Sequence, residues 1–193
     1  MNKYIDTFFR KKGVQYDEES LSYVTPYIQS EKVINWMVAI HGLKYTAIGQ
    51  VIDLTGCVGG NSLEFALKFN HVVTYEIRED YSNMLQHNAD IYNVDIDIIN
   101  SSSEDFIDNN DVVKPGTAVF FDPPWGGKDY KSKNINDLYI GKYGVLDVIN
   151  SCKKKGVEIC VAKLPYNFNM NLFKPYKQYY TYQYNKVKYV AII

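Results

Sequence analysis

Short apolar segments typical of strands alternate along this chain with segments of helical periodicity, and this alternation constrains the fold more than any other feature. The apolar spacing predicts five strands, near residues 50–54, 71–76, 95–99, 117–122 and 157–163. It predicts helices near residues 2–12, 27–41, 61–69, 79–92 and 137–152. Strands that alternate with helices in this way assemble into a parallel sheet covered by helices on both faces.

The C-terminal segment departs from this alternation. Residues 178–184 and 187–193 are two strand-like runs separated by Asn185 and Lys186, a pattern that predicts a β-hairpin. Five parallel strands and a terminal hairpin give a seven-stranded, mostly parallel sheet. We therefore expect an α/β, Rossmann-like fold, with residues 1–45 as an N-terminal helical extension or lid on one compact domain of residues 46–193.

The composition fits a single globular domain and narrows the kind of site. The chain has 193 residues, 46% of them hydrophobic and 22% charged, which is enough for a sizeable core. Its three cysteines show no C-x-x-C spacing and its three histidines are scattered, so we expect no metal. No apolar run approaches the ~20 residues of a membrane span, and the first residues are polar. We expect a protein of the cytoplasm or nucleus, without membrane attachment and with a monomer favoured.

A glycine-rich turn, Gly56-Cys57-Val58-Gly59-Gly60-Asn61, follows the first strand of this predicted sheet and leads into a helix. Such a turn lets the backbone approach a nucleotide-like ligand, and nicotinamide and flavin proteins share it. Asp53 at the strand end suits a ligand that carries a cation, such as the amino group of S-adenosylmethionine. Glu76, at the end of the next strand, suits hydrogen bonds to two ribose hydroxyls. We therefore expect S-adenosylmethionine as the cofactor.

The apolar run 117–121 ends in Asp122-Pro123-Pro124-Trp125. The exocyclic amine of a purine is a poor nucleophile, because its lone pair is delocalised into the ring. A carboxylate and carbonyls that proline leaves free of competing donors can accept hydrogen bonds from such an amine. An aromatic face can hold the ring so that the nitrogen points at a methyl donor. In combination with the glycine turn and Glu76, this segment indicates methyl transfer to an exocyclic amine.

The longest specific motif is Pro-Pro-Trp-Gly-Gly-x-Asp-Tyr at residues 123–130, of which generic amino-methyltransferases share only the beginning. Further matching segments, in the same order as in the family, are residues 23–26, 53–61, 88–92, 164–167 and 185–188. Together they resemble the trimethylguanosine synthase family, which methylates N2 of the 7-methylguanosine cap of RNA. The resemblance spans roughly residues 8–193 and implies a class I S-adenosylmethionine-dependent methyltransferase fold.

Motifs and resemblance together give three sets of candidate site residues. The candidates for catalysis are Asp122, Pro123, Pro124 and Trp125. The candidates for cofactor binding are Thr25, Pro26, Asp53, Thr55, Gly56, Gly59, Asn61, Glu76, Ser102 and Asp122. Of these, the resemblance supplies Thr25 and Pro26 as a lid, and several residues of 100–105 besides Ser102 are open as the adenine contact. The candidates for substrate binding are Trp125, Lys128, Tyr130, Lys131 and Asn167, with Trp125 expected to stack on the cationic 7-methylguanine.

The charges of the chain are distributed unevenly along it. Residues 1–111 hold 8 Lys and Arg against 17 Asp and Glu, whereas residues 112–193 hold 13 against 5. A basic half that contains the Asp-Pro-Pro-Trp segment points to a polyanionic substrate. Capped RNA or a cap-like nucleotide is therefore the expected partner. The candidate phosphate contacts are Lys128, Lys131, Lys133 and Lys142.

Three other functions are compatible with parts of this pattern. An enzyme that methylates an internal guanine or adenine amine of RNA or DNA would use the same Asp-Pro-Pro-Trp segment. A cap-binding protein could keep the scaffold without catalysis, although it would not need the intact Asp53, glycine turn and Glu76. A nicotinamide-dependent reductase is the weakest alternative, because Asp-Pro-Pro-Trp would then have no role.

Overall fold

A computed structural model of the chain describes residues 5–44, 47–132 and 135–193; the side chains of Lys128, Asp129 and Ser132 are outside this description. The strands in this part of the chain are β1 (Gln50–Asp53), β2 (Val72–Tyr75), β3 (Asp97–Ile99), β4 (Thr117–Phe121), β5 (Tyr139–Ile140), β6 (Tyr143–Gly144), β7 (Ile159–Pro165), β8 (Tyr180–Tyr184) and β9 (Val187–Ile192). The α-helices are α1 (Glu18–Leu21), α2 (Tyr27–His41), α3 (Ser62–Ala66), α4 (Glu79–Tyr92), α5 (Ser103–Asp108) and α6 (Val145–Lys154). Short 3-10 helices cover Ile5–Thr7, Gly127–Ser132 and Met170–Phe173.

Seven of these strands form one sheet in the order β3-β2-β1-β4-β7-β9-β8, and β5 and β6 form a separate small hairpin. The strands β3, β2, β1, β4 and β7 are parallel, while β9 is antiparallel to both β7 and β8. The predicted α/β, Rossmann-like fold with a mostly parallel seven-stranded sheet and a C-terminal hairpin is confirmed. Because the strand order reverses between β1 and β4, their carboxyl ends flank the crevice where ligands of such folds bind.

Apolar side chains pack on both faces of the sheet and fix its position between two helical layers. On one face Val51, Phe120 and Val161 pack with side chains of α2, α3 and α4. On the other face the neighbouring residues of the same strands, such as Val119 and Ala162, pack with α5 and α6. All five residues of β4 are buried. The strand that leads to Asp-Pro-Pro-Trp is therefore the rigid centre of the molecule.

The predicted helix over residues 2–12 is wrong in the described part of that range. There the chain forms only the 3-10 turn Ile5–Thr7. Phe8 and Phe9 are both buried in the core cluster on the face of the sheet that α2, α3 and α4 cover. Arg10 then pairs with Glu64 of α3 at 2.8 Å. These tertiary contacts hold an irregular strap where local propensity suggested a helix.

Other elements also differ from the sequence-based expectation. The short helices α1 and α5 were not predicted; Asp17 caps α1 through a 2.6 Å bond from the N–H of Ser20, and Ser102 caps α5. The helix expected at residues 137–152 begins only at Val145, because the β5–β6 hairpin occupies the preceding residues. Gly141 makes the turn of that hairpin with a φ of +56°, a conformation that favours glycine. In the part of the chain that the structure describes, no helix has the length and apolarity needed to span a bilayer.

Candidate active site

Four charged side chains come together at the carboxyl ends of neighbouring strands. Asp53 is the last residue of β1, and Glu76 follows β2. Asp122 follows β4, and Lys163 lies near the end of β7. Asp122 and Lys163 come directly after the paired residues Phe121 and Ala162. The sheet topology thus collects into one crevice residues that are separated by up to 110 positions in sequence.

Asp53 is fully buried, yet no ion pair forms with it among the residues of the described ranges. Its carboxylate accepts hydrogen bonds from the Ser62 hydroxyl at 2.7 Å and from the Thr55 N–H at 3.0 Å. Burial raises the pKa of Asp53 to about 6, and the negative charge of Asp122 adds to the rise. A buried carboxylate in this state favours a cationic ligand, because the cation would restore its ionised form.

Glu76 fixes the conformation of the glycine turn. Its Oε2 accepts the N–H of Cys57 at 2.7 Å, and its Oε1 accepts the N–H of Arg78 at 2.8 Å. Gly59 has a φ of +105°, and a Cβ there would lie 2.5 Å from Leu85. Each carboxylate oxygen of Glu76 has a second acceptor position, so two hydroxyls can still bind to it. Glu76 therefore stabilises the glycine turn and still has carboxylate acceptor positions available for a ligand.

Asp122 is tied to the donor side of the crevice through Thr55. The Thr55 hydroxyl accepts the backbone N–H of Asp122 at 2.9 Å and lies 3.3 Å from Asp53 Oδ1. The Asp122 side chain keeps 18% of its surface exposed. Burial raises its pKa, while the ammonium of Lys163 opposes that rise. Thr55 thus holds the two predicted carboxylates in a common frame.

Lys163 is a site residue that the sequence reasoning did not identify. Its Nζ lies 2.5 Å from Asp122 Oδ2 and donates to the hydroxyl of Thr25 at 2.9 Å. The same nitrogen lies 5.4 Å from the ring centroid of Trp125. Only 7% of the Lys163 side chain is exposed. The signal available in the sequence was a lone charged residue inside the apolar run 159–165.

Trp125 lies beside an open cleft of about 390 Å³, and Tyr130, Asn136, Asp137 and Tyr139 also line that cleft. Its ring meets Tyr130 edge to face, with centroids 5.1 Å apart. Its indole N–H is buried without an acceptor in ordinary hydrogen-bond geometry among the described residues, although it is close enough to Asp122 to lower the pKa of that carboxyl. Pro123 is buried and Pro124 is exposed. The cleft is large enough for a base.

The N-terminal segment closes on the glycine turn. The Thr25 hydroxyl accepts a bond from the side-chain amide of Asn61 at 3.2 Å, and Ser30 donates to the Asn61 oxygen at 2.9 Å. A Cβ on Gly60 would lie 3.1 Å from the backbone nitrogen of Thr25. Pro26 precedes the first turn of α2 as its N-cap. The predicted cofactor residues Thr25 and Asn61 are therefore in direct contact, and Thr25 also packs against Gly60 of the glycine turn.

Some of the remaining candidate residues are held by hydrogen bonds within the protein, and others are exposed or paired with another residue. Asn167 donates to the backbone oxygen of Tyr130 at 2.6 Å, so it holds the loop that carries that ring. Ser102 caps α5 and accepts the N–H of Glu104 at 3.2 Å. Lys131 is exposed. Lys142 is paired with Asp108 at 3.1 Å. The Lys128 side chain and all of Lys133 lie outside the described residues.

A model of one protein family matches residues 48–193, which is most of the chain. Its description is RNA cap guanine-N2 methyltransferase. The matched range contains the glycine turn, Glu76, Asp122, Trp125 and Lys163. The chain belongs to the RNA cap guanine-N2 methyltransferase family.

Individual curated proteins are also similar to this chain. The chain is 31% identical over 138 residues to an uncharacterised protein of Acanthamoeba polyphaga mimivirus, covering 70% of this chain and 53% of the relative. It is 30% identical over 142 residues to trimethylguanosine synthase of Schizosaccharomyces pombe, covering 70% and 57%. The chain thus spans about half the length of the curated relatives it matches.

Solved structures confirm the fold that family members are expected to share. An N2 methyltransferase of T. thermophilus 16S rRNA, solved with AdoMet and guanosine, superposes with a TM-score of 0.62 at 14% identity, covering 93% of this chain and 44% of that one. A hypothetical protein of T. thermophilus gives 0.65 at 10% identity, covering 93% and 92%. At these identities the likeness concerns the fold alone, which is that of class I S-adenosylmethionine-dependent methyltransferases.

The residues of this crevice fit S-adenosylmethionine. The cationic amino group of that cofactor would complement Asp53, the buried carboxylate that lacks an ion pair in the described ranges. The spare acceptor positions of Glu76 suit its ribose hydroxyls. No cluster of three or more His, Cys, Asp or Glu side chains with metal-binding geometry occurs in residues 5–44, 47–132 and 135–193. The expectation of a metal-free site stays a prediction.

Proposed function

We propose that this protein transfers methyl groups from S-adenosylmethionine to N2 of the 7-methylguanosine cap of RNA, forming the di- or trimethylated cap. One observation carries the proposal. Asp122 and Trp125, which suit an exocyclic amine and its ring, adjoin Asp53 and the glycine turn, and Thr55 connects the two halves. This arrangement lies within residues 48–193, the range that matches the cap guanine-N2 family.

On the donor side, four groups of the chain would hold the cofactor. Asp53 would bind its amino group, Glu76 would bind the ribose, and the glycine turn would approach it closely. Thr25 and Pro26 of the N-terminal segment would cover it. S-adenosylmethionine, when bound, supplies a methyl group on a sulfonium sulfur, which a nucleophile can displace. Because Thr25 contacts Asn61 of the glycine turn and Lys163, the N-terminal segment would shield this donor from water, which favours transfer to the amine over hydrolysis.

On the acceptor side, Asp122 performs the positioning chemistry. Its carboxylate accepts an N–H of the N2 amine, and the Pro123 carbonyl is placed in sequence to accept the other. Trp125 holds the ring so that the lone pair of N2 is in line with the methyl donor, and correct positioning can lower a barrier by ~7–11 kcal/mol. N2 loses one proton for each methyl group gained. Because burial raises the pKa of Asp122, this carboxylate is a better temporary proton acceptor than an exposed one.

One observation favours a second candidate, the methylation of an internal guanine or adenine amine in RNA or DNA. The ammonium of Lys163 already lies 5.4 Å from the centroid of Trp125. A resident cation on that ring reduces the attraction for a cationic 7-methylguanine, whereas a neutral base is affected less. Whether Trp125 selects the cationic base therefore decides between the two candidates.

The test is a methyl-transfer assay with three acceptors under identical conditions. A 7-methylguanosine cap dinucleotide, the same dinucleotide without the 7-methyl group and an uncapped RNA are each incubated with labelled S-adenosylmethionine. The proposal predicts that the 7-methylated cap is the preferred acceptor and that mass spectrometry finds the added methyl groups on N2. Preferred turnover of the uncapped RNA would support the internal-base alternative instead. Binding of the cap without any transfer would support the non-catalytic cap-binding alternative.

Two variants at one position serve as internal controls for this assay. Asp122→Ala should lower turnover much more than cap affinity, because its hydrogen bond strengthens as the amine loses its proton. Asp122→Ser should be milder, since the hydroxyl can still accept a hydrogen bond and the family resemblance includes members with Ser there. Full turnover by Asp122→Ala would show that the carboxylate has no role in the transfer.

A further inference from the structure

Lys163 is buried at the centre of the candidate site and contacts three of its parts at once. Its Nζ is 2.5 Å from Asp122 Oδ2, 2.9 Å from the Thr25 hydroxyl and 5.4 Å from the Trp125 ring centroid. The acceptor carboxylate, the N-terminal segment and the aromatic ring therefore meet at one ammonium group. Every other residue of β7 is uncharged.

Stability alone does not explain a lysine at this position. A buried ion pair costs much of its Coulombic gain in desolvation, and a well-packed apolar pair often serves stability equally well. The other strand positions of β7 are apolar and buried, so Leu or Met would fit the pattern of this strand. What an apolar residue cannot supply is a positive charge beside Asp122.

Asp122 needs that charge because of its surroundings. Burial raises its pKa, and a protonated carboxyl has lost one of the acceptors that an amine would use. Asp53, the second buried carboxylate, adds negative charge to the same crevice. Lys163 is the group that opposes these effects at closest range.

We infer that Lys163 is a positioning residue of the methyl-transfer site, which keeps Asp122 ionised and oriented toward the acceptor amine and fastens Thr25 over the donor pocket. The inference rests on the proposed function only for its consequence in catalysis. The ionisation of Asp122 and the closure of the N-terminal segment are properties of the free protein. Through Thr25, which also binds Asn61 at 3.2 Å, one ammonium links the acceptor carboxylate to the glycine turn.

Titration of Asp122 reports on the first part of this inference. The ionisable groups that influence Asp122, or are influenced by it, come from four packed elements. They are Asp53 of β1, Cys57 of the glycine turn, Tyr189 of β9 and Lys163 of β7. Burial raises the pKa of Cys57 to about 12 and also raises that of Tyr189. Asp53 is the other carboxyl among these groups, and an Asp53→Asn background separates its titration from that of Asp122.

The decisive experiment follows the carboxyl carbon of Asp122 by NMR in protein labelled at aspartate, with Asp122→Asn to assign the signal. Lys163→Met should raise the midpoint of the Asp122 titration by about one to three pH units, because the adjacent positive charge is lost. Lys163→Arg keeps the charge and should move it much less. Lys163→Gln introduces a neutral side chain that can still form hydrogen bonds, and it replaces the Met variant if that one is unstable. The expected rise of the Asp122 midpoint is the same.

Lys155 offers a matched control. It is also a buried lysine, at the C-cap of α6, but its Nζ donates to Asn109 at the C-cap of α5, and it is not among the groups that shift the pKa of Asp122. Lys155→Met should leave the Asp122 midpoint unchanged. An unchanged midpoint in Lys163→Met or Lys163→Gln would overturn the inference. This readout needs no substrate, so it stands even if the cap proves not to be the acceptor.

Kinetics test the second part on whichever acceptor the wild-type protein uses. In Lys163→Met the acid limb of kcat should move to higher pH by the same amount as the NMR midpoint. Thr25→Val removes only the hydroxyl contact; it should raise the KM for S-adenosylmethionine several-fold and leave the acid limb in place. If the acid limb of kcat does not move in Lys163→Met, the role of Lys163 in keeping Asp122 ionised is refuted. If the KM for S-adenosylmethionine does not change in Thr25→Val, the role of the Lys163–Thr25 contact in cofactor binding is refuted.

Discussion

The backbone N–H of Asp122 donates a 2.9 Å hydrogen bond to the side-chain hydroxyl of Thr55. Beside the backbone bond from Leu54 to Phe120, this contact joins the carboxyl end of β4 to that of β1 across the point where the strand order reverses. The same hydroxyl lies 3.3 Å from Asp53. A threonine that contributes no charge therefore adds a side-chain link between the donor and acceptor halves of the site, which the pairing of β1 with β4 already brings together.

Replacing Thr55 should lower both stability and turnover. Thr55→Val keeps the shape but leaves the Asp122 N–H without its acceptor, at a cost of about 1–3 kcal/mol in unfolding free energy. We expect kcat to fall by about 10- to 100-fold, because a displacement near 1 Å can cost that much. Thr55→Ser keeps the hydroxyl and is the matched control. Steady-state kinetics that show equal kcat for both variants would exclude this role.

Asp53 should make cofactor binding depend on pH. Its pKa of about 6 in the free protein falls when a cationic amino group binds, so affinity should weaken as the pH drops below 6 and proton release should accompany binding there. Calorimetry at pH 5.5 in buffers of different ionisation enthalpy measures that release. Asp53→Asn should lose the pH dependence and about 10- to 100-fold in affinity, as expected for a charge-assisted bond of ~1.5–3 kcal/mol.

The same carboxyl should affect the stability of the ligand-free protein with the opposite sign. A pKa raised in the folded state means that the folded protein binds more protons than the unfolded chain between pH 4 and 6. The stabilising contribution is therefore present below about pH 4 and is lost as the pH rises through 6. Denaturant unfolding of wild type and Asp53→Asn should show a smaller decrease of stability over this interval in the variant.

The location of the carboxylates could be predicted from the sequence because it depends on the local pattern of apolar residues around each of them. Asp53 and Asp122 each end an apolar run, and the ends of adjacent parallel strands meet at one edge of the sheet. Glu76 was found in the same way. The fold class followed from periodicity, since β1, β4 and β7 are each short and mostly buried, while β2 alternates buried and half-buried residues.

Other features depended on tertiary contacts that periodicity does not encode. Lys163 lies inside an apolar run, and its role appears only when Asp122 and Thr25 are placed around it. Residues 5–13 follow the contacts of Phe9 and Arg10 instead of their helical propensity. Lys142 seemed available for phosphate, but folding brings Asp108 to within 3.1 Å of it.

The closure of the N-terminal segment can be tested by adding one methyl group. In Gly60→Ala the new Cβ would lie 2.8 Å from Val24 and 3.1 Å from the Thr25 backbone, so the segment must move. We expect a loss of about 1–3 kcal/mol in stability and weaker S-adenosylmethionine binding. Gly49→Ala is the control, because its Cβ would have no neighbour nearer than 4.0 Å. Thermal unfolding with and without the cofactor compares the two, and equal behaviour would rule out the close contact.

The central claim, that the substrate is a cationic 7-methylated cap held by Trp125, depends on one ratio. The measurement is kcat/KM for the 7-methylated cap dinucleotide divided by that for the unmethylated one, in wild type, Trp125→Phe and Trp125→Ala. A cation–π contact of ~0.5–2 kcal/mol predicts a wild-type ratio of about 2 to 30, partly kept by Phe and close to 1 with Ala. A wild-type ratio of 1 would contradict cap hypermethylation, while methyl transfer to another exocyclic amine would remain compatible with the site.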